Sequence, residues 1–356
     1  MESTSQSFIN SAHALSRPHF ESGHFTHVHF QCGNLLVPES WARFSLSQSP
    51  LSRYDLASIT KALVTSPLVF WSLVKSNKKL SCSLKEWIGT TTTKFSEKIL
   101  NLSVLSLLSH RSGLPDWQCL WAVCLDEQFQ TLRPRDRLYY RLNELAKDCS
   151  LPGKYVYSDI GFIILGMCLE EKYGQNLDRL FRNLISEMGL PTSTLSFNLD
   201  KTQRYQSIPV GYCPVRKRVL VGEVHDENAS ILNGLMGHAG LFGTTEDIAK
   251  FLAAMMNTDW GNWLLKENSL RCSSEDKMLG LCGWHQGRGD SSRDFLKGST
   301  IGHLGFTGTA FWLDPKSHLY GVLLSNRIIH GRISPWITEF RSKSFSLMGK
   351  YLGSLL

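Results

Sequence analysis

The sequence predicts an α/β (α+β) fold in which an antiparallel sheet, built from both ends of the chain and flanked by helices, carries an inserted, mainly helical region. Strand-like segments occur near residues 25–44 and again at 302–325, whereas residues 80–240 have mainly helical and loop patterns. At 356 residues the chain can bury a large core, as one domain or two intertwined ones. The expected parts, working as one unit, are an N-terminal segment at 1–24, a sheet domain from 25–79 and 245–356, and a helical domain at 80–244.

Composition places the chain among soluble globular proteins. It has no run of about 18 uninterrupted apolar residues, so we expect no membrane span. Residues 1–20 are polar and rich in serine, and they lack the basic and apolar regions of a secretory signal. A cytoplasmic location is therefore expected, or a periplasmic one if a leader has been removed.

Cysteine and charge content indicate few special partners. The nine cysteines are odd in number, scattered and without a C-x-x-C pair, which favours reduced thiols. The net charge is +7, and basic residues cluster at 133–141 and 216–218, without a nucleic-acid module. We expect these clusters to be solvated surface, and we expect no nucleic-acid partner and no cofactor.

The first elements are a strand pair and a helix. Residues 25–30 alternate in polarity and 41–44 follow after a short gap, which predicts two antiparallel strands. His27 and His29 would share a face, but no third ligand follows at metal spacing, so packing is favoured over a metal site. A helix-compatible run then extends from Tyr54 to about Ser76, and Pro67 predicts a kink or restart within it.

The start of that helix holds the main candidate for chemistry. Ser58 and Lys61 lie three residues apart, so in a helix the amine comes within reach of the hydroxyl. A serine hydroxyl needs such a base to become a nucleophile. Asp55 is a candidate cap, and a buried first turn would hold the Ser58 N–H ready as an oxyanion donor.

Serine–lysine spacing alone is weak evidence, because three other pairs share it. These pairs are Ser72/Lys75, Ser76/Lys79 and Ser274/Lys277. They lie among Lys and Ser residues that are typical of solvated surface. Ser58 differs in having apolar neighbours, a helix start and further polar motifs downstream.

The middle of the chain adds two polar motifs. An apolar helical run at 102–108 ends at His110, before a Gly- and Pro-enforced turn, and we interpret His110 as fixing that loop rather than reacting. Tyr157 and Asp159 precede an apolar helix at 162–169. Either they project into one cleft, or they are a core tyrosine and a helix cap; taken without the other motifs, these residues favour the core tyrosine and the cap.

The last third of the chain returns to strands. A glycine-rich loop at 234–243 leads to Thr244 or Thr245 as the cap of a helix at 246–256. Residues 302–309 lead into a predicted strand at 310–313, which is followed by a turn at 314–315 and a strand at 320–325. A helix at 333–352, with proline in its first turn, closes the chain.

Taken together, these segments resemble the serine β-lactamase and penicillin-binding-protein superfamily, in its class C-like branch of esterases, D-aminopeptidases and D,D-carboxypeptidases. The resemblance covers most of residues 25–330 and rests on five segments in family order. They are Asp55–Lys61, Leu107–Pro115, Tyr157–Asp159, Val224–Asp226 with Gly237–Phe242, and Gly302–Gly308.

The resemblance implies a β-lactamase/transpeptidase-like fold and a set of roles. Ser58 would attack a carbonyl to form an acyl-enzyme, with Lys61 as base and Tyr157 completing the proton path. The N–H groups of Ser58 and Phe306 would form the oxyanion hole. Substrate-binding roles fall to Asp159, His303, Gly305 and Thr307. As a base Lys61 must be largely neutral, so its pKa is expected to be depressed.

Two departures from the family pattern bear on substrate. His303-Leu304-Gly305 stands where many relatives have Lys-Thr-Gly, so a hydroxyl is missing and the cation is only partly charged. This weakens the expectation of carboxylate recognition. Asp159 stands where Asn is commoner, and near Lys61 a carboxylate would favour the charged amine, against the needs of a base.

Several alternatives remain open from the sequence. His225 and Asp226 offer a Ser-His-Asp rival to the Ser58/Lys61 pair, although no G-x-S-x-G elbow supports it. His238-Ala239-Gly240 is a second His-x-Gly match, ranked below His303. The leading hypothesis is hydrolysis of an amide or ester in a small molecule or peptide; the alternative is a non-catalytic member that binds a peptide or cell-wall fragment. The sequence does not address oligomeric state.

Overall fold

A computed structural model of the chain shows an antiparallel sheet covered by helices on both faces, with a second group of helices beside it. The structure describes residues 2–89, 93–123, 131–150, 152–197, 201–273, 281–287, 295 and 300–354. Within these ranges, no helix is long and apolar enough to cross a membrane.

The helices, numbered in chain order, occur at both ends and throughout the middle of the chain. They are α1 Glu2–Glu21, a π-helix Lys61–Thr65, α2 Ser66–Lys75, α3 Leu84–Ile88, α4 Glu97–Leu100, α5 Val104–Leu108, α6 Leu120–Val123, α7 Pro134–Lys147, α8 Asp159–Tyr173, α9 Leu177–Glu187, α10 Lys201–Tyr205, α11 Glu227–Ser230, α12 Thr245–Met255, α13 Asp259–Ser273 and α14 Trp336–Gly353. The strands are β1 His27–Asn34, β2 Val37–Ser47, β3 Tyr54–Asp55, β4 Pro209–Cys213, β5 Arg218–Val221, β6 Phe242–Gly243, β7 His285–Gln286, β8 Ile301–Leu304, β9 Ala310–Asp314 and β10 Leu319–Ser325.

The main sheet confirms the predicted fold class. Its six strands run in the order β2-β1-β10-β9-β8-β7, all antiparallel. Strand β1 from the start of the chain pairs with β10 near its end, with Val28 opposite Ser325. The sheet is therefore assembled from both ends of the sequence. The division into two domains remains a prediction.

The N-terminal segment, for which the sequence predicted no structure, is helix α1. Its buried positions Phe8, Ala12 and Ser16 recur every four residues and form one narrow stripe. The Phe8 ring packs against Tyr351 of α14, with 5.2 Å between ring centroids. Helices α1 and α14 thus share the core that covers one face of the sheet.

A short β-hairpin, β4–β5, also lies within the region that was expected to be helical. Four buried side chains form its small separate core: Val210, Cys213, Leu220 and Ile328.

The eight described cysteines are free thiols. His27 does not need a metal, because its two ring nitrogens lie at hydrogen-bonding distance from Thr26 and Ser49.

The segment around Ser58 differs from the predicted helix at its start. Tyr54 and Asp55 form strand β3, paired with β6, so the helix does not begin there. The chain then turns through hydrogen bonds from Thr60 N to Ala57 O and from Lys61 N to Ser58 O, each 3.0 Å long. A π-helical stretch follows and α2 restarts regular helix at Ser66–Pro67, as the proline predicted.

Candidate active site

A cavity of about 490 Å³ lies between the β8 side of the sheet and the helical region. Its lining includes most residues selected from the sequence, and several arginines that were not. The lining residues used below are Asp55, Ser58, Tyr157, Asp159, His225, Asp226, Glu227, His285, Leu304, Gly305, Phe306, Thr307, Arg327, Arg332 and Arg341.

Ser58 and Lys61 meet as their spacing predicted. Lys61 is fully buried behind the cavity wall, and its Nζ donates to Ser58 Oγ at 3.0 Å. The same ammonium donates to the His238 carbonyl at 3.3 Å. A buried cation is thus held at one position beside the Ser58 hydroxyl.

The protonation state of Lys61 differs from the prediction. Burial alone would lower the pKa of Lys61, but the Asp159 carboxylate and the Tyr157 phenol oppose burial and raise that pKa above its ordinary value. Lys61 Nζ lies 2.7 Å from Asp159 Oδ1. The expected depressed pKa was therefore wrong, and the reason is the aspartate that the sequence has in place of the commoner asparagine.

Tyr157 lies next to both groups. Its phenol is in hydrogen-bonding contact with Lys61 and Ser58, and Lys61 Nζ lies 4.9 Å from the centre of its ring. Burial raises the pKa of Tyr157, while the Lys61 charge partly offsets that effect. The cleft interpretation of Tyr157 and Asp159 therefore holds. Ser158 between them caps α8 by accepting from Gly161 N.

Two backbone N–H groups are left unused at the cavity. Within the described part of the chain, neither the Ser58 nor the Phe306 N–H donates to another protein atom. The turn that carries Phe306 lies close to the Ser58 loop because Gly305 has no side chain. A Cβ at Gly305 would lie 2.0 Å from Thr309 Oγ1 and 2.7 Å from Leu56 O.

The backbone just before Ser58 is strained. Ala57 has φ 48°, a left-handed conformation that non-glycine residues rarely adopt. Asp55 holds it there: Oδ1 accepts from Ala57 N at 2.9 Å, and Oδ2 accepts from His225 N at 2.7 Å. Asp55 is therefore a clamp for this turn rather than the expected helix cap. Burial raises the pKa of Asp55 to about 6.

His303 does not reach the cavity, which corrects its expected contact with substrate. Its ring is fully buried, and Nδ1 lies 2.7 Å from the Leu304 carbonyl, to which it donates. Burial and neighbouring positive groups lower the pKa of His303 well below its ordinary value. Leu304 and Gly305 line the cavity in its place. Thr307 lines it too, but its hydroxyl donates to the Asp55 carbonyl.

His285 lines the cavity and was missed in the sequence. Its ring stacks on His303 with 4.1 Å between centroids and meets the Tyr157 ring edge-on at 5.4 Å. No motif marks His285; only the pairing of β7 with β8 brings it here. His110 fixes its loop as expected, because its Nδ1 accepts from Ser158 N at 2.9 Å.

The Ser-His-Asp rival is not assembled. Asp226 Oδ1 lies 2.9 Å from His238 Nε2, so the aspartate pairs with that histidine rather than with His225. The His225 ring packs on Phe306 instead. His238, the second His-x-Gly histidine, is buried and contributes its carbonyl to Lys61.

The other described serine–lysine pairs are structural or exposed. Ser72 Oγ accepts from Trp87 Nε1 at 3.0 Å and contacts the Tyr173 hydroxyl at 2.9 Å, while Lys75 forms an exposed ion pair with Glu187. The pair at 274 and 277 lies outside the described residues.

Solved structures with the same architecture identify the fold. The crystal structure of a β-lactamase/D-alanine carboxypeptidase from Pseudomonas syringae matches with a TM-score of 0.69 at 14% identity, covering 96% of this chain and 98% of that one. A class C β-lactamase from Rhodobacter sphaeroides matches with a TM-score of 0.66 at 14% identity, covering 95% and 98%. The fold is the β-lactamase/transpeptidase fold.

The chain belongs to the Beta-lactamase family, whose model matches residues 47–329. A relative from Salmonella agona, named "Putative D-alanyl-D-alanine carboxypeptidase", is 30% identical over 311 residues, covering 77% of this chain and 69% of the relative. A protein of the same name from Salmonella typhi matches equally over the same lengths. At the level of the family, the chain is a serine hydrolase.

Proposed function

We propose that the protein hydrolyses an amide or ester through an acyl-enzyme on Ser58. The observation that carries this is the convergence of a serine hydroxyl, a buried lysine and a phenol on one cavity, opposite two unused backbone N–H groups. A nucleophile, a proton path and oxyanion donors are the parts that acyl transfer requires.

In the proposed acylation, Ser58 Oγ attacks the carbonyl carbon and the hydroxyl proton passes to Lys61 Nζ. The carbonyl oxygen takes the negative charge beside the Ser58 and Phe306 N–H groups. As the tetrahedral intermediate collapses, Tyr157 relays a proton to the leaving group. Water then attacks the acyl-enzyme and releases the acid and free Ser58.

The ion pair of Lys61 with Asp159 requires one step before attack. Movement of one proton from Lys61 Nζ to the Asp159 carboxylate gives a neutral amine and a neutral acid. Exclusion of water by bound substrate favours this neutral pair, because a dry site penalises separated charges. The proton returns to Lys61 when the product leaves.

The proposed substrates are D-amino-acid peptides or small esters, and the names of the Salmonella relatives support the first. Intact-mass analysis after treatment with a fluorophosphonate should show one covalent adduct, absent in Ser58→Ala and retained in the control Ser76→Ala. A panel of p-nitrophenyl esters, D-alanyl-D-alanine peptides and a chromogenic cephalosporin then identifies the leaving group. If no serine-directed acylator forms an adduct, the proposal is wrong.

A second candidate function, non-catalytic binding of a peptide or cell-wall fragment, is favoured by one observation: the charged state of Lys61 beside Asp159. It predicts ligand binding unchanged by Ser58→Ala, with no turnover of any substrate in the panel.

A further inference from the structure

Asp55 lines the cavity with a carboxylate that is buried and lacks a cationic partner. The residue is 3% exposed, and among the described residues no ion pair involves it. A buried carboxylate without a cation is unfavourable, and a neutral side chain would fill the same space at lower cost. The charge of Asp55 therefore needs an explanation other than packing.

Three acceptor atoms of Asp55 hold three different segments that line the cavity. Oδ1 accepts from Ala57 N at 2.9 Å, in the strained turn that carries Ser58. Oδ2 accepts from His225 N at 2.7 Å. The backbone carbonyl accepts from Thr307 Oγ1 at 2.7 Å, in the turn after β8. One residue thus joins the nucleophile turn to two segments that are distant in the sequence.

Two of these segments each carry one of the unused backbone N–H groups. The Ser58 N–H follows Ala57 directly, and the Phe306 N–H directly precedes Thr307. In the proposed function these two groups form the oxyanion hole, so the present inference rests on that function. Two donors stabilise one oxygen well only when both point at it, so their relative position affects the rate.

We propose that Asp55 is a positioning residue that fixes the Ser58 and Phe306 N–H groups relative to each other, and that this role requires its carboxylate. Each side-chain oxygen faces an N–H donor, so both must be acceptors. A carboxylate supplies two acceptors, whereas an asparagine amide or a carboxylic acid carries hydrogen at one of the two positions. Either change opens one of the two bonds.

The strained backbone at Ala57 explains why these bonds matter. A left-handed φ of 48° persists only where surrounding contacts enforce it. When one bond to Asp55 opens, the turn relaxes, and the Ser58 N–H and the Asp55 carbonyl move together. The bond from Thr307 transmits this movement to the turn that carries Phe306.

Acylation kinetics test the positioning role. Asp55→Asn keeps the shape of the side chain but not its two acceptors, and Thr307→Val keeps the shape but not the hydroxyl. Each should lower the acylation rate of a p-nitrophenyl ester about tenfold to a hundredfold, because the displaced donors act on the transition state. The apparent affinity for the ester should stay unchanged.

The matched controls have the same bonding pattern away from the cavity. Asp247 is a buried carboxylate that accepts from Thr194 N at 3.1 Å, from Thr244 N at 3.0 Å and from Thr194 Oγ1 at 2.6 Å. Neither Asp247 nor Thr194 lines the cavity. Asp247→Asn and Thr194→Val should lower stability in urea but keep the acylation rate. An equal loss of rate in these controls, or a full rate in Asp55→Asn and Thr307→Val, overturns the inference.

The pH profile tests the requirement for a carboxylate. Burial raises the pKa of Asp55 to about 6; the Asp226 carboxylate adds to this effect, and the Arg216 guanidinium and the two backbone N–H groups oppose it. Below this pKa the folded protein holds a carboxylic acid here, so the acylation rate should fall as the pH decreases through about 6. Asp55→Asn should lack this limb. A variant that retains it shows that the carboxylate requirement is wrong.

Hydrogen exchange tests the link between the segments without turnover. Thr307→Val should increase exchange at the Ala57 and His225 N–H groups, although these donate to Asp55 and not to Thr307. If no acylator forms an adduct with Ser58 but this coupled increase is found, the proposed function fails and the link stands. An increase confined to the turn around Thr307 shows that the segments are independent and overturns the inference.

Discussion

The two sides of the cavity treat charge in opposite ways. On one side, the lysine wall of Ser58, Lys61, Tyr157 and Asp159 pairs its cation with a carboxylate 2.7 Å away. On the other side, Arg327, Arg332 and Arg341 line the cavity as an arginine wall, and among the described residues only Arg332 forms an ion pair with a carboxylate. The comparison shows that a carboxylate holds the Lys61 amine, whereas backbone carbonyls hold Arg327 and Arg341 among the described residues.

The largest effect is expected from Lys61→Met, which removes the amine that contacts Ser58. Loss of the amine should reduce the acylation rate by about a hundredfold to ten-thousandfold, the usual contribution of a general base. Stopped-flow measurement with a p-nitrophenyl ester gives that rate. Lys75→Met, which removes an exposed lysine of α2, is the control.

Because Lys61→Met leaves the half-buried Asp159 without its partner, Lys61→Met/Asp159→Asn is measured in parallel to separate catalysis from folding. His225→Ala should retain most of the activity. If only the histidine change abolishes acylation, Lys61 is not the base.

The second prediction concerns Gly305, where the turn that carries Phe306 lies close to the Ser58 loop. Gly305→Ala puts a methyl group 2.0 Å from Thr309 Oγ1 and 2.7 Å from Leu56 O, so the turn that carries Phe306 must shift. Loss of one oxyanion donor should lower kcat about a hundredfold. Gly353→Ala, where a Cβ meets nothing within 4 Å, should leave kcat unchanged. A Gly305→Ala enzyme with full kcat would show that Phe306 N–H is not a donor.

A smaller effect is expected from Asp159→Asn, which removes only the negative charge that pairs with Lys61. Asp159→Asn removes the carboxylate that raises the pKa of Lys61 and that takes the Lys61 proton in the proposed mechanism. The proton must then leave to solvent, so the acylation rate of Asp159→Asn should rise with pH as the amine is freed, at a pKa below that of Lys61 in the unmodified protein. Asp136→Asn, at an exposed ion pair, should leave the pH profile of the unmodified protein unchanged. An unchanged pH profile in Asp159→Asn would mean that Asp159 does not take the Lys61 proton.

The smallest predicted effect concerns stability and Asp55. Its pKa is about 6 in the folded protein against an ordinary 3.8, so between these values only the folded state keeps the proton. The contribution of Asp55 to stability therefore falls as pH rises through this window and is constant outside it. Urea unfolding should show that the protein's advantage over Asp55→Asn is larger at about pH 4 than at about pH 7. A difference that is constant with pH would contradict the raised pKa.

Local patterns explain what the sequence predicted well. The Ser58 and Lys61 contact depends on three-residue spacing in one turn, and the strands depend on alternation of apolar residues. Thr244 was recognisable as a helix cap because Asp247 three residues later completes a capping box.

Features that depend on distant pairing escaped prediction. His285 lies at the cavity because β7 pairs with β8, and the arginine wall lies there because β10 and α14 return to the Gly305 turn. The His303 ring lies outside the cavity lining and stacks on His285, and no sequence motif marks that contact. Helix α1 was missed because a stripe of one phenylalanine, one alanine and one serine gives little apolar signal.

The pairing of β1 with β10 has a consequence for biosynthesis. The strand that begins at residue 27 finds its partner only after residue 325 has left the ribosome, so the central hydrogen-bond ladder cannot close while translation is in progress. Until then the edge of β1 that pairs with β10 stays open, a hazard for aggregation that chaperones commonly manage. Refolding of the purified protein should accordingly be slow, as for other proteins dominated by long-range contacts.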